Sequence, residues 1–316
     1  MTFASSLSNL VDAERIPYVT ADEAFSLMQT SFERFMQVIE SLNADDWTKP
    51  TACTDWNVHD IVAHQAGGYV SGTNYKEMIR LIRLATSKVR PGRLPEDTVN
   101  EFQVKERADK SPTELITELR QAGPSAIQNW AYGFRVMKPV VTSHPIGGVK
   151  SQRYYMWIIH SRDTWMHRLD ICRATGQRFE QTREHDGRIN ELVVLDLAQS
   201  LKNKLRKRAL NLVLTGIAGG AWKIGQTEPE ATIEMDTLDF NIYASGRFNH
   251  EEGLSRARLS GDEFGMIIDG KQPVAGVLLA AAFDEIAYGG RPAEDADLRA
   301  ATEGWPRVLA EAGPGQ

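Results

Sequence analysis

Eleven residues, His160-Ser161-Arg162-Asp163-Thr164-Trp165-Met166-His167-Arg168-Leu169-Asp170, constrain this chain more than any others. On a helix turning about 100° per residue, positions 160, 163, 167 and 170 fall on one stripe, and all four are polar or ionisable. Trp157, Ile158 and Leu169 lie beside that stripe. A polar stripe with apolar flanks need not face water; it suits the interior of a helical bundle, where facing helices supply partners. Asp163 and His167 stand four residues apart, which puts a carboxylate and an imidazole on adjacent turns. That spacing can clamp one metal ion. It also occurs as an ordinary i,i+4 pair worth about 0.2–0.5 kcal/mol. His160-x-x-Asp163 offers two ligands equally well, and spacing does not choose between His160 and His167.

A third ligand has to come from another helix. Asn57 and Asp60 mark a helix start, and the segment behind them carries Val58, Ile61, Val62, Gln65 and Tyr69, its apolar face running on weakly to about Leu84. His64 follows Ile61 by three residues and Val62 by two, close to the inward face. His59 is about 140° away round the same helix and points elsewhere. One histidine from this helix with Asp163 and His167 from the other leaves coordination positions for water and substrate, as in a catalytic site.

Further helices are signalled by their caps. Thr20-Ala21-Asp22-Glu23 reads as a capping box before Phe25, Met28, Phe32, Phe35, Ile39 and Leu42 at helical spacing. Ser111-Pro112-Thr113-Glu114 opens another helix with Leu115, Ile116, Leu119, Ile127 and Trp130, past an awkward Gly123-Pro124. The helix bearing the stripe is expected from about Gln152 to Ala174, closed by Gly176. Residues 86–110, rich in charge and containing Pro91, Gly92 and Pro95, read as a long connection, and His144-Pro145-Ile146-Gly147-Gly148 as a loop. Four helices with one long connection describe a four-helix bundle. Beyond Gly176 a helix is expected over 186–208. Strands over Leu210–Ile217 and Glu230–Met235 follow, joined by 218–225, and then a helix capped by Asp236 and ending near Gly246-Arg247. Such mixing indicates an α+β second domain. Helices are also expected at Val274–Tyr288 and Asp295–Ala312. The domain boundaries expected are 15–177 for the bundle and 184–316 for the second domain with its extra helices.

Composition narrows the partners. The formal charge of −6 and pI near 5.7 argue against a nucleic-acid surface. The basic run Lys202 to Arg208 reads as the solvated, cationic end of a helix. Cys53 and Cys172 are too few and too far apart for a disulfide scaffold. The first twenty residues lack a signal-peptide pattern, and the longest apolar stretch, Val274 to Phe283, is about half of a membrane span. A cytoplasmic protein with a small-molecule partner and no membrane or nucleic-acid role is expected; oligomeric state stays open.

The run Trp47-Thr48-Lys49-Pro50-Thr51-Ala52-Cys53-Thr54-Asp55-Trp56-Asn57-Val58-His59-Asp60-Ile61-Val62-Ala63-His64 resembles the N-terminal signature of the mycothiol-dependent maleylpyruvate isomerase family. Asp163, His167, Arg168, Asp170 and Ala174-Thr175-Gly176 resemble its second signature. The resemblance implies a DinB-like metal-binding four-helix bundle followed by a smaller, sterol-carrier-like α+β domain. It selects His64, Asp163 and His167 as ligands and leaves His160 a neighbour. The family usually carries Glu where this chain has Asp163. With one methylene fewer, direct ligation needs the helix closer by about 1 Å, or a bridging water.

In the second domain the segment Asp239 to Arg247 and then Leu259-Ser260-Gly261-Asp262 resembles the family more faintly, and implies that Arg247 reaches the substrate. Arg247 reads equally as a cation at a helix C-terminus. The resemblance further implies a divalent metal, with zinc, nickel or iron all suited to two imidazoles and a carboxylate. It also implies a low-molecular-weight thiol such as mycothiol and an electrophilic small substrate. Cis–trans isomerisation or S-transfer would be the outcome. Two other readings stand beside these: a metal-activated water performing hydrolysis in the same site, and an apolar-ligand binder with a vestigial bundle.

Overall fold

Thr20 opens the first long helix: its hydroxyl accepts from Glu23 N, and α1 (Ala21–Glu40) buries Leu27, Met28, Phe32, Phe35, Met36 and Ile39 along one face. The same logic of caps and apolar stripes builds the rest of the structure, a computed structural model that describes residues 10–87, 95–135, 137–139, 141–143, 149–205 and 208–261. The expected loop at His144–Gly148, the helices at 274–288 and 295–312, Asp262 and the middle of the basic run (Arg206, Lys207) lie outside the described residues. Two compact units are present, one from Ile16 to Val194 and the other from residues 10–15 and 195–261.

In the first unit, Asn57 and Asp60 form a reciprocal capping box for α2 (Val58–Ser71). That helix stops at Gly72 instead of running on to Leu84, and α3 (Tyr75–Ser87) follows. Asn129 fixes the break by donating to the carbonyls of both Gly72 and Thr73 at 3.0 and 2.8 Å. The expected connection over 86–110 contains a helix as well, α4 (Pro95–Lys105). Pro95 starts it, because a proline at the first helical position forfeits a hydrogen bond that position would not make.

Ser111 and Glu114 cap α5 (Pro112–Ala131), which continues through Gly123-Pro124. After α5 come the short hairpin β2 (Val141–Ser143) and β3 (Val149–Ser151), a turn at Gln152–Tyr154 and a wide π turn at Tyr155–Ile159. The stripe helix α6 (His160–Thr175) then ends on Gly176 at φ 76°, a left-handed position that glycine reaches without a Cβ clash. Helices α1, α2, α5 and α6 pack on one another as the bundle, with α3 and α4 laid against α2.

The bundle is fastened by a buried carboxylate. Asp186, fully buried, accepts from Arg34 on α1 (2.6 Å), Arg168 on α6 (3.1 Å), Trp165 Nε1 (2.7 Å) and Thr182 N (2.7 Å). Next to it His185 Nε2 lies 3.1 Å from Ser31 Oγ. Burial pushes His185 down to about 4; Asp186 opposes this while Arg34 and Arg168 reinforce it. The folded chain therefore holds His185 neutral where an unfolded chain, with an ordinary value near 6.5, takes up a proton. Stability should be unaffected by this group above pH 6.5 and should fall by about 1–3 kcal/mol as pH drops from 6.5 toward 4. Urea midpoints across that range should decline less steeply in His185→Gln than in the unaltered chain.

The second unit is built on a five-stranded sheet in the order β1-β5-β4-β6-β7. Its strands are β1 (Val11–Asp12), β4 (Ala209–Thr215), β5 (Gly220–Gly225), β6 (Ala231–Asp236) and β7 (Arg258–Gly261). β4 pairs antiparallel with β5 and parallel with β6. The segment expected to join two strands, 218–225, thus contains the strand β5. The helix α7 (Arg188–Leu205) precedes β4; α8 (Thr237–Ala244), capped by Asp236, and α9 (His250–Ser255) lie between β6 and β7. Helical bundle followed by mixed sheet is the α+β class expected. No helix among the described residues is long and apolar enough to cross a membrane.

Candidate metal centre

Two helices of the bundle, α2 and α6, bring His64, Asp163 and His167 together. His64 Nε2 lies 3.3 Å from Asp163 Oδ2, and His167 Nε2 lies 3.3 Å from Asp163 Oδ1. One ligand atom from each residue falls within 4.8 Å of the others. Donors held about 2.0–2.1 Å from a tetrahedral ion stand about 3.3–3.4 Å apart, so the observed separations suit such an ion.

Both imidazoles are oriented from behind. His64 Nδ1 donates to Gln103 Oε1 (2.8 Å), and His167 Nδ1 donates to Asp170 Oδ2 (3.1 Å). Those bonds put a proton on each Nδ1 and turn both Nε2 atoms toward Asp163. His167 Nε2 is fully buried and makes no hydrogen bond among the described residues, although Asp163 Oδ1 is close by. Nε2 lone pairs face a carboxylate favourably only with a positive charge between them, carried by a proton or by a metal ion. A divalent ion there, with Asp163 and Asp170 as its two nearby anions, leaves the buried group neutral overall.

The titration tendencies follow from the same arrangement. Burial opposes charge on His167, but Asp163, then Asp170 and Cys53, outweigh it and hold the imidazole well above its ordinary value. Burial likewise opposes charge on Asp163, yet His167 and His64 hold its carboxyl well below the usual range. The cluster is built to host a positive charge at one spot.

Around it the packing is close. The ring of Trp56, from the loop before α2, lies 5.0 Å from that of His64 and 6.0 Å from that of His167. His64 and His167 are 5 % and 1 % exposed, while the Asp163 side chain is 15 % exposed and forms the more open side of the cluster. Gln65 Nε2 donates to Asp163 Oδ2 at 2.5 Å, and Thr164 Oγ1 in turn donates to Gln65 Oε1 at 2.9 Å. Cys53 donates its thiol to Asp170 Oδ2 (3.6 Å), the oxygen that receives His167.

His160 is not part of the cluster. Its ring stacks on Trp130 with centroids 3.7 Å apart and planes tilted by 12°, and burial keeps it neutral by pushing it down to about 4. Arg168 turns away to Asp186. Arg247 follows α8 in the sheet unit, its backbone N–H donating to Ile242 O at 2.9 Å.

Asp170 belongs to the stripe that spacing marks out; Gln103, Gln65 and Cys53 are the contributors that spacing alone does not single out. Gln103 was hidden because its helix lay inside the presumed connection. Gly67 carries the signal for it: a Cβ there would stand 2.6 Å from Gln103 Cβ, so only glycine lets α4 come this close to α2 beside His64.

The family model described as the mycothiol maleylpyruvate isomerase N-terminal domain matches residues 28–172. A crystal structure of the mycothiol-dependent maleylpyruvate isomerase is similar at 14 % identity and a TM-score of 0.51, covering 79 % of this chain and 96 % of that one. A histidine-to-alanine mutant of that isomerase gives 13 % identity and a TM-score of 0.50 over the same shares. Identities this low speak for the shared fold. Among curated proteins nothing matches. Residues 28–172, which carry His64, Asp163 and His167, therefore belong to the mycothiol maleylpyruvate isomerase N-terminal domain family, in a chain whose α+β fold is that of the isomerase structures.

Proposed function

We infer that His64, Asp163 and His167 bind one divalent metal ion, zinc by donor set and spacing, with Asp163 ligating directly. The observation that carries this reading is the convergence of two imidazole Nε2 atoms on one carboxylate while both Nδ1 atoms are already committed. A divalent ion in such a site keeps a coordinated thiol deprotonated at neutral pH, and the thiolate is the reactive form. The working nucleophile is then a low-molecular-weight thiol, mycothiol or a relative of it, as the family's name implies.

The substrate is a small electrophile with a carbon–carbon double bond conjugated to a carbonyl. Addition of the sulfur turns that double bond into a single bond. Rotation followed by loss of the thiol returns the trans isomer and the free thiol. The family resemblance assigns to Arg247 a substrate carboxylate or the developing enolate, a role that the paired donors of a guanidinium suit. Mixing the metal-loaded chain with mycothiol and maleylpyruvate tests this reading. Isomerisation that needs both metal and thiol is expected. Equal turnover without added thiol would replace this reading with a metal-activated water.

The hydrogen bond from His167 to Asp170 has its own consequence. Asp170→Asn keeps the side chain's shape and removes the charge behind the imidazole. Metal affinity should drop ten- to a hundred-fold, measured against a chelator, with the helical circular dichroism unchanged. An unchanged affinity would mean that His167 needs no carboxylate behind it.

A further inference from the structure

From Leu119 to Arg162 the chain runs for 44 residues without an Asp or Glu. With 42 acidic residues in 316, an even spread would place about six there. The same run holds six cations, Arg120, Arg135, Lys138, Lys150, Arg153 and Arg162, in a chain whose net charge is −6. Among the described residues, Glu40 at the end of α1 pairs with Arg120, and Asp22 near its start accepts from the Tyr132 hydroxyl.

Two of the cations, Lys138 and Arg153, lie over Trp157, just ahead of α6, and Arg135 acts on Lys138 electrostatically. Lys138 Nζ lies 5.5 Å and Arg153 Cζ 5.2 Å from the centroid of that indole. Arg153 N donates to Lys138 O at 3.0 Å, which ties the two backbones together. Arg135 lies three residues before Lys138, its Nε donating to Tyr132 O. Lys138 is only 6 % exposed, and its ammonium donates to Ala131 O at 2.7 Å. Among the described residues no carboxylate pairs with Arg135, Lys138 or Arg153.

A recessed ammonium beside two guanidinium groups is costly. One carbonyl and an indole face offset only part of the lost hydration. Burial first, then Arg153 and Arg135, push Lys138 down to about 8. Among the described residues, the cluster is met by no anion.

We propose that Lys138, Arg153 and Arg135 form a binding site for a small oxyanion, a carboxylate or a phosphate monoester, packed against Trp157. The recessed position of Lys138 favours a small group over a flat polyanionic surface, which could meet the two arginines but not the lysine. The planar guanidinium of Arg153 provides the paired donors that an oxyanion accepts. None of the three cations belongs to the metal-binding cluster.

The test uses the full chain at constant ionic strength, titrated calorimetrically with succinate and, separately, with inorganic phosphate. One saturable site is expected. Tighter binding of succinate identifies a carboxylate ligand, and tighter binding of phosphate a phosphate ester. Arg153→Met, at an exposed position that should not disturb folding, and Lys138→Met should each weaken binding at least ten-fold. Pulsed acetylation of Lys138 across pH, read by mass spectrometry, supplies a second measurement. Saturating anion should move the labelling midpoint upward, because a bound anion stabilises the protonated amine. Absence of saturable binding, equal binding by both variants, an unmoved midpoint, or binding seen only with a polyanion such as heparin would each overturn the proposal.

Discussion

Alanine in place of His64 or His167 is expected to strip the protein of its metal. Each substitution removes one of three ligands and leaves the other two with an unpaired carboxylate, so the loss should exceed the ten- to hundred-fold cost of removing a supporting hydrogen bond. Metal per chain after gel filtration should fall from about one to near zero, and thiol-dependent turnover should disappear with it. The fold should survive in His64→Ala, because the helix around that residue is held by Val58, Ile61 and Val62, all fully buried, and by its own capping box. His160→Ala serves as the control: that ring rests on Trp130 outside the cluster, so metal content should stay the same. Full metal occupancy in His167→Ala would remove the basis for the assignment.

Asp186→Ala should produce the largest loss of stability. The carboxylate is fully buried and joins α1, α6 and the turn before α7 through Arg34, Arg168, Trp165 and Thr182. Removing it leaves Arg168, 2 % exposed, as a buried charge without its counter-ion. Breaking a buried pair in this way costs about 3–5 kcal/mol, a large share of a typical domain's stability. Urea unfolding followed by circular dichroism should show a much lower midpoint. Replacing Glu40, whose pairing with Arg120 is at the surface, should cost about 0–1 kcal/mol. Because Arg168 follows His167 directly, the buried pair also sets the rotation of α6 that points Asp163 and His167 inward. Metal affinity in Asp186→Ala should therefore decline together with stability.

Much of this arrangement was legible from residue order. Thr20, Asn57, Ser111 and Asp236 each cap the helix their position announces, since a side-chain oxygen beside free backbone N–H groups is a local matter. The stripe through positions 160, 163, 167 and 170 came from helical geometry, and the structure shows that two neighbours in it do different things. His167 enters the cluster, and His160 stacks on Trp130. Spacing could not separate them, because the distinction lies in what the facing helices present.

Where the sequence reading departed from the structure, the cause was long-range. Gly72 ends α2 because Asn129, 57 residues away, caps the exposed carbonyls. Charge and proline disguised α4, whose Gln103 orients His64 across a contact that Gly67 permits. The concern that Asp163 is too short for its role concerned reach, and reach is decided by how closely α2 and α6 pack. Both 3.3 Å separations show its carboxylate close to each imidazole. The strand β5 was missed because glycines at both ends, Gly220 and Gly225, made it look like a linker; pairing with β4 makes it a strand.

The central claim is that one divalent ion belongs between His64, Asp163 and His167. Elemental analysis of the purified full-length chain, after dialysis against metal-free buffer, tests it most directly. About one zinc, nickel or iron per chain is expected, reduced to trace levels by His64→Ala. Substoichiometric metal in the unaltered chain, together with thiol-dependent turnover that persists in the presence of a strong chelator, would contradict it.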